Sequence, residues 1–376
     1  MKMFKKNMLK YLALIIMISV AFINCTPEEP DDIQKEVVVF DIQKGINISA
    51  WLSQTSLTGQ AQLDYFTKAD LQRLDSMGFD HIRLPVSEKQ LYSSTGAKNE
   101  AKWEIVHNVI AWCEEAGMRV IFDLHDTYSH NFSTPSSNTL FGSLAKQDEF
   151  VALWDKLAAE LEQYPNDLLA LEILNEPASD SFKAWSDLAG RAINKIRETQ
   201  PERIILLGSN NANSVANFSK LDIPANDSNI MLSFHFYHPS LLTHYQADFT
   251  SMRDIDVELT YPGLLVSNTA MNKLSASDQE KVKSYNGTYN KETLFNRMKE
   301  VIQIAKDAGV RIHCGEFGSN YKYPNLDLQM RWFQDMVAIF KENKIPYSVW
   351  GYKATFGIYN EDGSVKDQRV VDALTK

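Results

Sequence analysis

From Val37 onward, short apolar runs alternate with longer segments in which apolar residues recur every three or four positions. Continuous apolar runs are typical of strands buried on both faces, and the longer periodic segments are typical of amphipathic helices. The eight candidate strands are KGINISAW, DHIRLPV, MRVIFDLH, LLALEILN, RIILLGS, NIMLSFHFY, VRIHCGEFG and PYSVWGYK. Six candidate helices lie between them, at Lys68–Met77, Glu100–Ala116, Gln147–Glu162, Phe182–Thr199, Lys291–Ala308 and Asp327–Glu342.

Strands that are mostly followed by a helix favour a parallel sheet of the α/β class, and eight of them favour its closed form, a single (β/α)8 TIM barrel. An open doubly wound sheet is the alternative, but no GxGxxG motif follows the first candidate strand. Glycines in SMGF, EAGM and KDAGVR predict helix C-caps. The stretch from His238 to Asn286 contains no clear long helix, and a loop of that length inside a compact domain is usually functional.

The first residues of the chain follow a different pattern. Four lysines precede YLALIIMISVAFI, an apolar run too short to span a bilayer comfortably, which predicts a signal peptide over residues 1–24. Cys25 follows directly, an order that resembles bacterial lipoprotein signals, although Asn24 stands where a small residue is usual. We therefore expect lipidation of Cys25, an acidic tether over residues 25–36 and a folded domain over residues 37–376. An ordinary secretory signal is the alternative.

Charge narrows the set of partners. Removal of residues 1–24 changes the formal net charge from −10 to −14, because it removes four lysines and no acid. An acidic surface argues against nucleic acid binding and is compatible with a neutral partner such as a polysaccharide. We expect a monomer held to a membrane by the lipid anchor, at the outer membrane or cell surface. A periplasmic or secreted protein is the alternative location.

Candidate chemistry lies at the strand ends, because the active site of a (β/α)8 barrel forms at the C-terminal ends of its strands. The polar or aromatic residues at these ends are Arg83, His125, Asn175 with Glu176, His235 with Tyr237, Glu316 and Trp350. The fourth and seventh strands face each other across a closed barrel, which places Glu176 opposite Glu316. Two facing carboxyl groups are what glycoside hydrolysis requires, with retention at about 5–5.5 Å and inversion at about 6.5–9.5 Å.

Three strand-end side chains are suited to support these two carboxyl groups. Arg83 would hold Glu316 ionised, since an opposite charge lowers the pKa of a carboxyl group. Tyr237 would donate a hydrogen bond to the same carboxylate, and His235 would lie beside Glu176 and influence its protonation. Glu176 has a structural alternative as a helix N-terminal acid, and Arg83 as part of a structural ion pair.

Other strand-end residues are suited to bind a sugar. Asn175 would bond the sugar 2-hydroxyl, and Trp350 offers a flat apolar face for a pyranose ring. His125 would complete the floor around the reacting sugar. Asn210 and Asn211, at the end of the fifth strand, are further candidates for sugar contact. Packing in the core is the alternative for both His125 and Trp350.

Metal chemistry finds little support in the sequence. His235 and His238 are spaced as HxxH with His244 nearby, but the segment is irregular and no acidic ligand repeats beside it. Cys113 and Cys314 lie far apart, which favours buried free thiols over a disulfide bond. We expect neither a metal ion nor a cofactor in catalysis.

The motifs HIRLPV, DLH, LEILNEP, FHFY, GEFG and VWGYK, in this order with one per strand, resemble glycoside hydrolase family 5, the cellulase-like retaining enzymes. The opening KGINISAWL is similar to that family's first strand, and the resemblance runs from about Lys44 to Gly357. It implies a (β/α)8 barrel in which Glu176 is the acid/base and Glu316 the nucleophile. It also implies family positions for Asn175, Arg83, His125, His235, Tyr237, Trp350 and Lys353, and no metal or organic cofactor.

These expectations combine into one leading hypothesis, a retaining endo-β-1,4-glucanase acting by double displacement. The same mechanism on xyloglucan, mannan or another β-glycan is an open alternative, since loops set the choice of substrate on this fold. A carbohydrate-binding surface lipoprotein without catalysis is the alternative from another class. Against it, both glutamates are present, whereas a degenerate barrel typically loses one of them.

Overall fold

The computed structural model describes residues 39–321 and 326–376. Eight parallel strands form a closed barrel in which each strand pairs with its neighbours in chain order, and β1 pairs with β8. This confirms the predicted (β/α)8 TIM barrel. The strands are β1 Lys44–Asn47, β2 His81–Ser87, β3 Arg119–Asp126, β4 Leu169–Glu172, β5 Ile205–Leu207, β6 Ile230–His235, β7 Arg311–Phe317 and β8 Tyr347–Val349.

Helices follow every strand, although a 3₁₀ helix at Val215–Lys220 is all that follows β5. The bounds of three helices agree with the prediction, and the other three differ by one to three residues at an end. Gly78, Gly117 and Gly309 have φ of 97°, 71° and 66° and form the predicted C-caps. The α-helices are α1 Gly59–Leu63, α2 Lys68–Met77, α3 Glu88–Leu91, α4 Glu100–Ala116, α5 Leu144–Leu161, α6 Phe182–Arg197, α7 Ser240–Thr243, α8 Asn268–Met271, α9 Ala276–Lys283, α10 Lys291–Ala308, α11 Leu326–Asn343 and α12 Gln368–Thr375.

Strand residues contribute to two apolar clusters, one on each face of the sheet. On the outer face, residues such as Val120 and Phe122 pack with the apolar sides of the helices. On the inner face a small separate cluster forms the floor of the barrel, made of Phe40, Ile42, Ile121, Ala170, Ile204, Leu206 and Met231. Side chains alternate along a strand, so Asp123, two positions after Ile121, also faces the interior, nearer the C-terminal mouth.

The fourth strand is shorter than predicted. It ends at Glu172, whereas the apolar run suggested an end at Asn175. The backbone beyond it still bonds to neighbouring strands, since Ile173 N donates to Leu206 O at 3.2 Å and Asn175 N donates to Leu124 O at 3.0 Å. Glu176 follows with a left-handed φ of 44°, a conformation that non-glycine residues adopt rarely and that is often found at functional sites.

Residues 238–286, here called the β6 excursion, separate β6 from α10. They contain α7, α8 and α9, and Gly263–Leu264 pair with Thr288–Tyr289 in a short antiparallel ladder. Contacts with the barrel helices and loops hold the excursion in place: Trp332 Nε1 donates to His238 O at 2.9 Å, and Asn320 N donates to Thr243 O at 2.7 Å. The stretch without a long predicted helix is therefore folded, in short elements.

The last predictions concern the cysteines and the N-terminal segment. Cys113 and Cys314 are free and buried, as expected. Among residues 39–321 and 326–376, no helix is long and apolar enough to cross a bilayer. The proposed signal peptide, Cys25 and the acidic tether lie outside the described residues.

Candidate active site

Arg83 lies at the centre of a buried charged layer inside the barrel, above the apolar floor. Strand register explains its neighbours, because Asn47 is opposite Arg83 and Asp123 is opposite Glu172. Arg83 donates from Nε to Glu172 Oε2 at 2.7 Å and from Nη1 to Asn47 Oδ1 at 2.9 Å, and its Nη2 lies 3.0 Å from Asp123 Oδ2. All four side chains are fully buried, where a charge is tolerated only when it is paired.

Burial and ion pairing shift the pKa values of Arg83 and Asp123 in this layer. Burial lowers the pKa of Arg83, but Asp123, Glu172 and Glu316 together raise it above its ordinary value, so the guanidinium stays charged. Burial raises the pKa of Asp123 to about 7, against the lowering effect of Arg83. Arg83 therefore keeps its positive charge, and its Nη1 faces Glu316 at the mouth of the barrel.

Glu316 lies at the mouth end of β7, between two hydrogen-bond donors. Its Oε1 accepts from Arg83 Nη1 at 2.8 Å, and its Oε2 accepts from Tyr237 Oη at 3.0 Å. Burial raises the pKa of Glu316 above its usual range, and His235 and Arg83 oppose that rise. The preceding Gly315 leaves room for this arrangement, since a Cβ there would lie 2.6 Å from Ser233 Oγ. Both predicted contacts of Glu316 are present.

Glu176 has a different partner. Its Oε1 lies 2.8 Å from His235 Nδ1, as predicted. Burial lowers the pKa of His235 to about 4, so the ring is neutral near pH 7, and its Nε2 lies 3.3 Å from Asn213 Nδ2, a donor. With the ring proton on Nδ1, His235 donates to the ionised form of Glu176. Burial raises the pKa of Glu176, while His125 and Arg83 oppose the rise.

The two glutamates approach each other closely. An oxygen of Glu176, His235 Nδ1 and an oxygen of Glu316 all lie within 4.8 Å of one another. Register again explains the geometry, because His235 of β6 is paired with Glu316 of β7 after an irregularity in the ladder. A closest approach of carboxyl oxygens within 4.8 Å agrees better with the about 5–5.5 Å separation of retaining enzymes than with the about 6.5–9.5 Å of inverting ones.

Both carboxyl groups open into a cavity of about 590 Å³, within the size range of small-molecule sites. Trp350, one position beyond β8, stacks on His125 with ring centres 5.7 Å apart and planes 7° apart. His125 Nδ1 is hydrogen-bonded to Asp123 Oδ2 at 2.6 Å, and His125 Nε2 has no partner among the described residues. Lys353 also lines the cavity, and its Nζ donates to Tyr65 O at 3.1 Å.

Asn175 connects the charged layer to the cavity region. Its Oδ1 accepts from Arg83 Nη2 at 3.0 Å, and this fixes which way the amide is turned. Its Nδ2 is buried and finds no hydrogen-bond partner in residues 39–321 or 326–376. A buried donor without a partner is costly, so contact of this N–H with a hydroxyl of a bound sugar stays the prediction that the sequence made.

Sequence reasoning missed some residues and misjudged one. Asp123, Glu172 and Asn47 were not singled out, because they lie inside strand runs and acquire a role only when the barrel closes around Arg83. Asn210 does not fit the expected sugar contact: its Oδ1 accepts from Ser179 N at 2.9 Å and its Nδ2 donates to Ser179 O at 2.7 Å. Its amide is thus occupied in clamping the loop that follows Glu176.

The fold and this site together define a class. A (β/α)8 barrel that holds two carboxyl groups at this spacing, in a cavity at the C-terminal ends of its strands, is a glycoside hydrolase. The family model "Cellulase (glycosyl hydrolase family 5)" matches residues 42–355. The chain belongs to glycosyl hydrolase family 5.

Curated relatives and solved structures agree with this family. Endoglucanase C of Acetivibrio thermocellus is 29% identical over 342 residues, covering 88% of this chain and 97% of that protein. Cellodextrinase A of Ruminococcus flavefaciens is 29% identical over 308 residues, covering 81% and 83%. The crystal structure of Thermotoga maritima Cel5A with cellobiose superimposes with a TM-score of 0.71 at 20% identity, covering 89% of this chain and 97% of that one. At this identity the superposition shows the shared fold.

Proposed function

We propose that the protein is a retaining endo-β-1,4-glucanase in which Glu316 is the nucleophile and Glu176 the acid/base. The observation that carries the proposal is the unequal surroundings of two carboxyl groups within 4.8 Å of each other. Glu316 accepts from a guanidinium and a phenol, which stabilise its ionised form. Burial raises the pKa of both groups, but Glu176 accepts from a neutral imidazole rather than from a cation, which suits a proton donor.

The first step forms a glycosyl-enzyme. A carboxylate oxygen of Glu316 attacks the anomeric carbon, the glycosidic C–O bond breaks, and Glu176 gives its proton to the departing oxygen. Arg83 holds the other oxygen of Glu316 and so orients the attacking one. The free N–H of Asn175 meets the sugar 2-hydroxyl, a contact that strengthens in the transition state.

The second step releases the sugar. Glu176, now ionised, takes a proton from a water molecule, and the oxygen of that water attacks the anomeric carbon and displaces Glu316. His235 donates from Nδ1 to Glu176 and therefore stabilises the ionised form that this step requires. Two displacements at the same carbon restore the starting configuration.

Substrate choice rests on the relatives. Those at 29% identity carry the names endoglucanase and cellodextrinase, which supports a β-1,4-glucan. Xyloglucan, mannan and other β-glycans remain alternatives. Thermotoga maritima Cel5A has one structure in complex with mannotriose and another in complex with cellobiose. A panel of soluble polysaccharides with chromatography of the products tests the assignment, and early release of mixed oligosaccharides indicates endo action. Binding without hydrolysis across the whole panel contradicts it and favours the non-catalytic alternative.

Export as a lipoprotein is part of the proposal, supported by the sequence of residues 1–24 and by Cys25. The protein would then act on glycan outside the cytoplasm, at the outer membrane or cell surface, as a monomer. Labelling cells with a radioactive fatty acid tests this, since the wild-type protein should carry label and the Cys25→Ala variant should not. Label in both, or in neither, contradicts lipidation at Cys25.

A further inference from the structure

We propose that Phe249 of the β6 excursion is a sugar-stacking residue that sets the affinity for a glycan chain at one wall of the catalytic cavity. The proposal rests on the proposed function for the class of ligand, a β-linked glycan. It gives the β6 excursion a role that no sequence motif indicated.

Phe249 is the most exposed large apolar side chain among the described residues, with 73% of its surface accessible. A single exposed apolar residue is ordinary on a protein surface. Phe249 differs because its ring lines the same cavity as Glu176, Glu316 and Trp350. An apolar ring that faces solvent beside two catalytic carboxyl groups is placed where a substrate would cover it.

Aromatic neighbours hold this ring in position. Its centre lies 5.7 Å from the ring of His244, with planes at 90°, and 6.3 Å from the ring of Phe356. His244 and Phe356 each contact the ring of Tyr237, which is hydrogen-bonded to Glu316. We call these four residues, Tyr237, His244, Phe249 and Phe356, the aromatic wall. It runs without a break from the proposed nucleophile to the exposed ring.

Polar contacts behind the wall fix the excursion to the barrel. Thr243 Oγ1 donates to Tyr237 O at 2.6 Å, and Thr243 O accepts from Asn320 N at 2.7 Å. Burial lowers the pKa of His244 to about 4, so the wall carries no charge near pH 7. A fixed, neutral, apolar surface suits an uncharged sugar ring and gives no advantage to a charged ligand.

Stacking explains why an aromatic residue is needed at this position. A pyranose in a β-1,4-linked chain presents flat C–H faces, and a flat aromatic face buries them without demanding a hydrogen bond. Pairs of aromatic rings gain about 0.5–1.5 kcal/mol beyond area burial, and we take the same range for a sugar face on an aromatic ring. At 1.4 kcal/mol for each factor of ten, loss of the ring should weaken binding by about two- to tenfold.

The test measures binding of cellohexaose by calorimetry in the Glu316→Gln background, which keeps the ligand intact. Phe249→Ala should weaken binding by about two- to tenfold, Phe249→Tyr should restore it, and the apolar but flexible Phe249→Leu should restore less. Tyr285→Ala is the matched control, because Tyr285 is an exposed aromatic of the same excursion that does not line the cavity. It should leave binding unchanged. With Glu316 intact, Phe249→Ala should raise KM for soluble β-1,4-glucan by a similar factor and change kcat less than about twofold.

The outcomes separate this inference from the proposed function. If the wild type hydrolyses glucan and Phe249→Ala binds cellohexaose as well as its parent, the inference fails and the proposed function stands. If no polysaccharide is hydrolysed but Phe249→Ala still weakens binding, the proposed function fails and the inference stands. Absence of cellohexaose binding in the parent, or a fall in melting temperature that accounts for the loss, also overturns the inference.

Discussion

The two sides of the cavity hold the same residue type in different surroundings. On the β7 side, Glu316 lies within the strand, between Arg83 and Tyr237, with one donor to each oxygen. On the β4 side, Glu176 lies beyond the strand, in a left-handed turn, and faces a neutral His235. A bonded positive charge favours a carboxylate, and burial without a bonded cation favours a carboxylic acid. Closely spaced glutamates are therefore suited to different steps.

The largest effects are expected when each glutamate is replaced in turn. Glu316→Gln should lower kcat by several orders of magnitude on every substrate, because no nucleophile remains. Glu176→Gln should lower kcat/KM strongly on glucan but far less on a 2,4-dinitrophenyl β-cellobioside, because kcat/KM reports the first step and this leaving group needs no proton there. Steady-state kinetics on both substrates checks this. Equal losses on both substrates for Glu176→Gln would contradict its role as the acid.

Arg83→Met should strongly destabilise the fold. It leaves Asp123, Glu172 and Glu316 without their shared positive charge in a buried site, and loss of one partner of a buried pair costs about 3–5 kcal/mol. These carboxyl groups would then bind protons more readily in the folded state than in the unfolded one. The loss should therefore be largest above the raised pKa values and shrink as the pH falls.

Urea unfolding of Arg83→Met and of the wild type at about pH 8 and about pH 5 measures both effects. A difference in stability that is the same at both pH values would show that the arginine acts through packing and hydrogen bonds alone. Such a result would contradict the claim that the charge of Arg83 favours the ionised form of Glu316.

Tyr237→Phe should move the acid limb of the pH–rate profile. The phenol donates to the ionised form of Glu316, so its loss raises the pKa of that carboxyl group and activity falls at a higher pH. A hydrogen bond to a charged group is worth about 1.5–3 kcal/mol, which corresponds to a shift of roughly one to two pH units. Tyr245→Phe, whose phenol bonds to Asp256 in the β6 excursion, should leave the limb in place. If the acid limb stays at the same pH in Tyr237→Phe, a group other than Glu316 is responsible for that limb.

The smallest effect is expected for the clamp that Asn210 forms on the loop after Glu176, through its two hydrogen bonds to the Ser179 backbone. Asn210→Ala removes both side-chain bonds to the Ser179 backbone and should cost about 1–3 kcal/mol of stability. Activity should fall modestly, because the turn that carries Glu176 becomes less fixed. Asn229→Ala, which removes only an exposed bond to Glu202, is the control and should be nearly neutral in thermal unfolding. Equal effects for the two variants would exclude a clamp.

Much of the barrel and part of the site could be predicted from the sequence. Apolar runs and capping glycines are local signals, so the strands and helices followed from them, and the C-terminal rule for barrels placed Glu176 and Glu316 at one mouth. The contacts of Glu316 with Arg83 and Tyr237 followed from residue type once the barrel was assumed. Their chemical roles stay predictions that the variants above address.

The remaining features of the site depend on contacts between residues far apart in the sequence, which no local pattern encodes. In the sequence, Asp123 and Glu172 are charged residues that interrupt apolar strand runs. Only the strand register shows that they lie opposite each other beside Arg83. Asn210 was misjudged because its partner, Ser179, belongs to the preceding loop. Phe249 lies in an excursion of short elements without a clear period, so only the folded chain brings its ring to the cavity.

The most direct test of the account traps the first intermediate. A 2,4-dinitrophenyl 2-deoxy-2-fluoro-β-cellobioside forms the glycosyl-enzyme but slows its release, because the fluorine destabilises both oxocarbenium-like transition states. Peptide mass spectrometry of the trapped protein then locates the sugar. One covalent sugar, attached to Glu316, is expected. A sugar on Glu176, or a first product of inverted configuration by NMR with no adduct at all, would contradict it.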